Sequence, residues 1–455
     1  MDAFDFVVIG AGAAGEAAAF LARERGASVA VVDRALFGGS CAFWACIPSK
    51  TLLHAASVHA LGGDYPWSRA VQRRDYMIDR EGPGGPDDSG HVKALDEAGA
   101  TTIRGDARIA GPGRVVVRTT GGDRELAARA IVVAVGSNAT VPRIDGLDRI
   151  KPWTNREATS ARELPRSLVV MGGGPTGVEM AQVYARYGVP VTVIHPRRLN
   201  DRDHPRNSDV LRDALRRDGV DVRLGVRATR IDPAGGAGGA HRIELSDGAA
   251  VEGHEILLAV GRTVPLDGLG LETVGVVAQD GRVRPDDRLR IAPDVYVAGD
   301  TAGPELHTHL AHYQGEMAVR IALGDDVRPD YRAIPRATYT DPETAGVGLR
   351  LDQAAERGLD AFEESVDLAT TAKGYVSEAG GHATIVVDRR ERTLAGTFLA
   401  GPGASELIHE ATLAIKLHTP LAVLADTIHA FPTFGRVLGT LIVQVHRRLE
   451  GEARG

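Results

Sequence analysis

The stretch GGSCAFWACIPSK, Gly38 to Lys50, carries both cysteines of the chain, Cys41 and Cys46, with four residues between them. Two cysteines kept this close suit either metal binding or dithiol–disulfide cycling. Structural zinc usually takes four ligands, commonly from two such pairs. Here there is one pair and no histidine inside the loop, which favours redox chemistry.

A second kind of chemistry is phosphate binding. FDFVVI (Phe4 to Ile9) reads as a buried strand, followed by Gly10-Ala11-Gly12-Ala13-Ala14-Gly15, an alanine-rich helix to about Arg25, and the strand SVAVVD ending at Asp33. In this context Gly10 allows the tight turn, Gly12 lets a pyrophosphate approach, and Gly15 lets helix pack on strand. Asp33 would accept hydrogen bonds from a ribose hydroxyl. The pattern returns in SLVVMGGGPTGVEMAQVYARYGVPVTVIHPRR, with Gly172, Gly174 and Gly177. Asp33 follows Gly10 by 23 residues, and His195 follows Gly172 by the same interval. His195 opens a basic cluster with Arg197 and Arg198. A carboxylate suits a free 2′-hydroxyl, whereas arginine suits a 2′-phosphate. The two sites should therefore hold different nucleotides, the second NADPH; a solvated basic turn is the competing reading of Arg197 and Arg198.

The elements around these motifs set the organisation. A chain of 455 residues suggests about three domains. Hydrophobic content of 43%, charged content of 25% and a net charge of −7 describe a soluble globular protein without a nucleic-acid or membrane-surface partner. MDAFDFVVIG has no basic segment before its apolar run and so is not a signal peptide. No apolar run approaches the roughly 20 residues that span a bilayer. A cytoplasmic protein is expected. Glycine-rich inserts at 82–90 and 232–240 read as exposed loops, the second a hairpin tip. AIVVAVGS, EILLAVGR and DVYVAGD read as buried strands, and from about Ala333 the texture changes to alternating strands and two late helices.

Together these segments resemble the class I pyridine nucleotide–disulfide oxidoreductases, the group of dihydrolipoyl dehydrogenase, glutathione reductase and mercuric reductase. The resemblance covers nearly the whole chain in order: GAGAAG, GGSCAFWACIPSK, AVGS, GGGPTGVE, AVGR, VYVAGD and IHAFPT. It implies an α/β fold of two Rossmann-like dinucleotide-binding domains plus a C-terminal α+β dimerisation domain. The implied boundaries are 1–148 with 265–332 for FAD, 149–264 for NAD(P)H, and 333–455 for dimerisation. FAD would lie along Gly10, Gly12, Gly15, Asp33, Gly39, Ser40, Lys50, Gly136, Ser137, Asp300 and Thr308. The nicotinamide nucleotide, NADPH with NADH possible, would lie along Gly172, Gly174, Gly177, His195, Arg197 and Arg198, with Gly261 and Arg262 closing over it. Lys50 and Glu179 match an ion pair placed where hydride reaches the flavin.

The resemblance also assigns the cysteines, as a redox-active disulfide stacked on the flavin. Cys46 begins an apolar helical stretch, and a helix N-terminus stabilises a thiolate. Cys46 would face the flavin, and Cys41 would exchange with substrate. The implied enzyme is a homodimer passing hydride from NADPH through FAD and the disulfide to a small acceptor: a disulfide, a quinone or a metal ion. A dihydrolipoyl dehydrogenase-like enzyme and a non-catalytic redox sensor are the alternatives.

The chain departs from the family at its C-terminal signature, HxHPTxxE, whose second histidine is the acid–base and whose glutamate orients it. Phe431 and Arg436 stand at those two positions. Loss of both suggests that this proton transfer is not needed, with His429 the one local residue able to stand in. Pro175 and Thr176 occupy the place of an aromatic lid. Phe43 and Trp44 add bulk between the cysteines, as core packing or as an apolar wall facing the acceptor. His307, His309 and His312 read as packing, and no metal site is assigned.

Overall fold

The computed structural model describes residues 1–79, 85–235 and 237–452. Its first sheet forms from the long apolar runs. The strands Asp2–Ile9, Val29–Asp33 and Gly122–Val133 pair in parallel, with Phe6 opposite both Val29 and Ala130. A parallel sheet covered on both faces needs continuous apolar strands, and Val7, Val8, Ile131 and Val132 are fully buried. The strand Val295–Val297 pairs parallel to Gly122–Val133, so the chain returns to its first unit after the middle one.

Helix α1 (Ala13–Glu24) connects the first two strands. Then come α2 (Gly39–Trp44), α3 (Cys46–Ala60) and α4 (Trp67–Met77). The middle unit begins with α5 (Asn155–Ser160). Its parallel sheet takes the strands Leu168–Met171, Val191–His195, Asp221–Leu224 and Glu255–Leu258, and α6 (Pro175–Arg186) opens at its glycine turn. Leu52, Leu53, Ala55 and Ala56 of α3 share one core with Val178, Ala181 and Tyr184 of α6. The cysteine-bearing helix is thereby packed onto the helix of the second fingerprint.

Helix α7 (Thr308–Ala322) crosses α1 closely: a Cβ on Gly315 would fall 2.2 Å from the Ala14 carbonyl oxygen. The last unit is a five-stranded antiparallel sheet, Arg336–Thr338, Glu343–Gly348, Thr393–Gly401, His382–Asp388 and Ala361–Asp367 in spatial order. Helices α8 (Ala404–Lys416) and α9 (Phe434–Glu452) cover it. The architecture is the expected α/β one, with an α+β unit at its C-terminal end.

Of the two glycine-rich inserts, residues 82–84 of the first and 236 of the second lie outside the described residues. Ala228–Asp232 and His241–Leu245 flank the second and pair antiparallel as a hairpin. Among the described residues, no helix is long and apolar enough to cross a membrane.

Candidate active site

Cys41 lies within α2 and Cys46 opens α3, with Ala45 turning the chain between them at φ −133° and ψ −98°. Both are half-buried thiols. The hydrogen bond from Cys41 is the largest influence on Cys46 and pulls its pKa down. Burial opposes it, the Thr308 hydroxyl and the Lys50 ammonium assist, and the thiol settles at about 6. Thr308 Oγ1 stands 3.4 Å from Cys46 Sγ. Cys41 is pushed up in turn, chiefly by its bond to Cys46 and then by burial. The sulfurs are inequivalent: charge settles on Cys46 and the proton on Cys41.

Lys50, one helical turn after Cys46, places Nζ 2.8 Å from Glu179 Oε2. Glu179 is buried in α6, and its other oxygen accepts the Tyr339 backbone N–H at 3.1 Å. Burial works against the Lys50 charge, but Glu179 outweighs it and raises the ammonium pKa. The Tyr339 ring centroid lies 4.6 Å from the same Nζ, within cation–π range.

The first glycine turn forms a cradle. Gly10 has φ +104°, and a Cβ there would lie 2.3 Å from Ala134 O; a Cβ on Gly15 would lie 1.9 Å from Gly10 O. Gly39 comes against Gly12, beside Ser40 and Cys41, where a Cβ on Gly39 would meet Gly12 Cα at 2.7 Å. No side chain caps α1, so its first N–H groups are open to a phosphate. Asp33 ends its strand and accepts the amides of Ala11 at 2.8 Å and Ala35 at 2.7 Å. These residues fit a dinucleotide such as FAD.

Opposite the cradle, Ser137, which follows Gly136, donates to Asp300. Arg262, which follows Gly261, donates from Nε to Ser137 Oγ and from Nη2 to Ser137 O, both at 2.6 Å. The structure thus places the Arg262 side chain against two residues of the FAD set, Ser137 and Asp300, while Ala259 and Val260 just before it lie against Gly172 of the second glycine turn.

That second turn repeats the first. Cβ atoms on Gly172 and Gly177 would lie 2.1 Å from Ala259 O and 2.2 Å from Gly172 O. A Cβ on Gly174 would meet nothing, and α6 has no side-chain cap. His195 ends its strand as Asp33 does. Its Nε2 is buried without a hydrogen-bond partner, and burial lowers its pKa. Arg197 pairs with Asp201, while Arg198 donates to the carbonyls of Asp201 and Asp203 at 3.2 Å. Both arginines are exposed at the mouth of the turn.

Comparison with known proteins agrees with this geometry. Residues 4–315 match the family described as pyridine nucleotide-disulphide oxidoreductase, and residues 334–442 match its dimerisation domain. The chain belongs to the pyridine nucleotide–disulphide oxidoreductases, class I. Among its relatives are a dihydrolipoyl dehydrogenase of Chlorobaculum tepidum and a mercuric reductase of Streptomyces lividans. The first is 32% identical, over 96% of this chain and 95% of that one; the second is 33% identical, over 96% and 94%. The crystal structure of LpdA from Mycobacterium tuberculosis superposes with a TM-score of 0.85 at 26% identity, covering 98% of this chain and all of the other. Enzymes of this family use FAD and a nicotinamide nucleotide, and this chain is such an oxidoreductase.

The positions aligned in the sequence with the family's C-terminal dyad lie at the surface. Phe431 is 75% exposed, and Arg436 is also exposed. His429 is held inside its own unit. Its Nε2 is 2.9 Å from Glu410 Oε1 on α8 and its Nδ1 is 3.1 Å from Thr427 O, so both nitrogens face acceptors of its own unit. Phe43 is buried edge-on to His91, as core packing requires. Trp44 lies half-buried under Arg156. Pro175 and Thr176 are exposed at the start of α6. His307 and His309 stack with ring centroids 5.0 Å apart, and His307 also pairs with Glu305; His312 is exposed. Sequence reasoning missed Tyr339, whose ring lies against Lys50. The nearest signal was its place in TYTDPE near the start of the third unit.

Proposed function

We propose that the protein is a homodimeric NADPH oxidoreductase that moves an electron pair through FAD and the Cys41–Cys46 pair to a small acceptor. The setting of the two sulfurs carries this reading: Cys46 opens α3 with the Thr308 hydroxyl 3.4 Å from its sulfur and the Lys50–Glu179 pair one turn on, and Cys41 lies across the junction on α2, as a two-electron disulfide relay needs. When bound, FAD supplies a ring that accepts hydride from the nicotinamide and returns the electron pair to a disulfide. The chain's own residues do the rest. Asp33 and the uncapped α1 hold the dinucleotide, Asp300 and Ser137 line its opposite side, and Gly172, Gly174 and Gly177 receive the second nucleotide. Reduction of the disulfide takes two electrons and gives one thiolate, kept on Cys46, and one thiol, Cys41, which accepts one proton.

Arg197 and Arg198 favour NADPH, because no carboxylate ends the second strand where Asp33 ends the first. The homodimer is supported by the dimerisation domain and by the exposed apolar side chains Leu413, Leu417, Ile428 and Phe431 that this domain carries. With Phe431 and Arg436 in place of the dyad, the acceptor is one that needs no positioned acid: a quinone, a metal ion or a disulfide with a good leaving thiolate. Steady-state NADPH oxidation with a panel of acceptors tests this. The reading expects quinone and aromatic-disulfide turnover to exceed that of glutathione disulfide and lipoamide; equal rates on all four would contradict it.

A further inference from the structure

We infer that Asn155 and Thr159 are positioning residues for the Cys41–Cys46 pair, acting on the junction where its two helices meet. The inference rests on the reading of these cysteines as the redox pair. Helix α2 ends at Trp44 and α3 begins at Cys46. The last carbonyls of a helix lack intrahelical partners, and that of Trp44 is taken up by a different unit. Asn155 Nδ2 donates to Trp44 O at 2.8 Å, and the Thr159 hydroxyl, whose one proton goes chiefly to Asn155 O at 2.7 Å, lies 3.3 Å from the same Trp44 carbonyl. The two side chains are four apart and so share one face of α5.

Helix α5 has six residues, too few to be stable alone, so its neighbours must fix it. On one side the Tyr184 hydroxyl of α6 donates to Ala158 O at 2.6 Å. On another, the fully buried Arg74 of α4 donates from Nη1 to Thr159 O at 2.5 Å and to Ala161 O at 3.3 Å, and from Nε to Asp75 Oδ1 at 2.8 Å. Ala158 and Thr159 are themselves buried.

The consequence is a second tie between the redox pair and α6. The first is direct, from Lys50 to Glu179. The second runs from Tyr184, five residues along α6, through α5 to Trp44 O. Cys41 lies three residues before that carbonyl and Cys46 two after it. A disulfide tolerates only a narrow range of Cα separations and dihedral angles, whereas two thiols tolerate many. Holding the junction therefore favours the closed disulfide, and releasing it favours the dithiol.

The test equilibrates FAD-loaded protein with mixtures of reduced and oxidised glutathione, followed by alkylation and a thiol count. The reaction balances as one protein dithiol and one glutathione disulfide giving one protein disulfide and two glutathiones. Asn155→Asp keeps the shape but loses the donor, and Thr159→Val is nearly isosteric. Asn155→Asp should shift the equilibrium toward the dithiol by about threefold or more, ~15 mV or more for a two-electron couple, Thr159→Val by less in the same direction, and the pair by at least as much as Asn155→Asp alone. Tyr184→Phe, which touches neither cysteine helix by this bond, should give a smaller shift in the same direction. FAD content and melting temperature establish that each variant is folded. An equilibrium constant within twofold of wild type in folded Asn155→Asp overturns the proposal, as does a shift toward the disulfide in any of the three variants. If Asn155→Asp fails to retain FAD, the Thr159→Val, Tyr184→Phe double variant decides: a shift toward the dithiol supports the proposal, and no shift overturns it. Failure of the underlying reading shows separately, as wild-type protein that forms no Cys41–Cys46 disulfide in oxidised glutathione.

Discussion

Glu179 holds Lys50 at 2.8 Å across two units, reaching from α6 to the helix that Cys46 opens. Its second oxygen binds the Tyr339 amide from the third unit, so one carboxylate joins all three at the thiolate. Removing Lys50 leaves the buried Glu179 carboxylate uncompensated; breaking a fully buried pair costs about 3–5 kcal/mol, and with the Lys50 side chain 35% exposed the cost falls at or below the low end. Lys50→Met should therefore destabilise the protein by up to about 3 kcal/mol and slow flavin reduction by NADPH. Glu179→Gln, which strands no buried charge, should slow flavin reduction with a smaller loss of stability. Denaturant melts and stopped-flow reduction measure the two effects.

The thiols should titrate far apart. With Cys46 held at about 6, below an ordinary cysteine, its thiolate is present above that pH and lost as pH falls through it. Its contribution to stability follows the same sign, disappearing on acidification. Alkylation of the dithiol form should show Cys46 reacting with a midpoint near 6 and Cys41 reacting only at strongly alkaline pH. In Cys41→Ser the hydrogen bond from the Cys41 thiol is gone, and the Cys46 midpoint should rise if the serine hydroxyl does not replace it. Mass mapping of the alkylated sites across pH checks both.

Coenzyme choice should depend on Arg197 and Arg198. Hydrogen bonds to charged groups contribute roughly 1.5–3 kcal/mol each. Arg197 must first leave Asp201, which puts its share at the lower end. Replacing both with alanine should raise KM for NADPH by at least tenfold and leave KM for NADH nearly unchanged. Equal effects on the two coenzymes would mean that the cluster is a solvated turn.

A positioned acid contributes about 10²–10⁴-fold to a proton transfer. Phe431 cannot supply it, Arg436 cannot orient it, and His429 is turned toward Glu410 and the Thr427 carbonyl of its own unit. Phe431→His with Arg436→Glu should raise lipoamide or glutathione disulfide turnover while leaving quinone turnover within about twofold. The double variant should exceed either single one. His429→Gln in the wild-type background should not lower disulfide turnover selectively.

Much of this was legible in the chain because the motifs are local. Gly10, Gly12 and Gly15 sit between a strand and a helix whose apolar periods can be read directly, and Asp33 and His195 end the strands where the spacing puts them. The start of a helix at Cys46 follows from the residues after it. What was hidden depends on contacts between distant segments. Nothing near Tyr339 signals that its ring will cover Lys50, some 290 residues earlier. The turn of Arg262 toward Ser137 and Asp300 is set by packing of the first unit against the second. The capture of Trp44 O by α5 depends on Arg74 being buried under Thr159.

The central claim is that electrons from NADPH reach the Cys41–Cys46 pair. The direct measurement is anaerobic titration of oxidised, FAD-loaded protein with NADPH, with alkylation and mass analysis at each point. After one equivalent, the account predicts two newly alkylated cysteines, Cys41 and Cys46, and a flavin that is still largely oxidised. A flavin bleached by that first equivalent, with both cysteines still closed to alkylation, would contradict it.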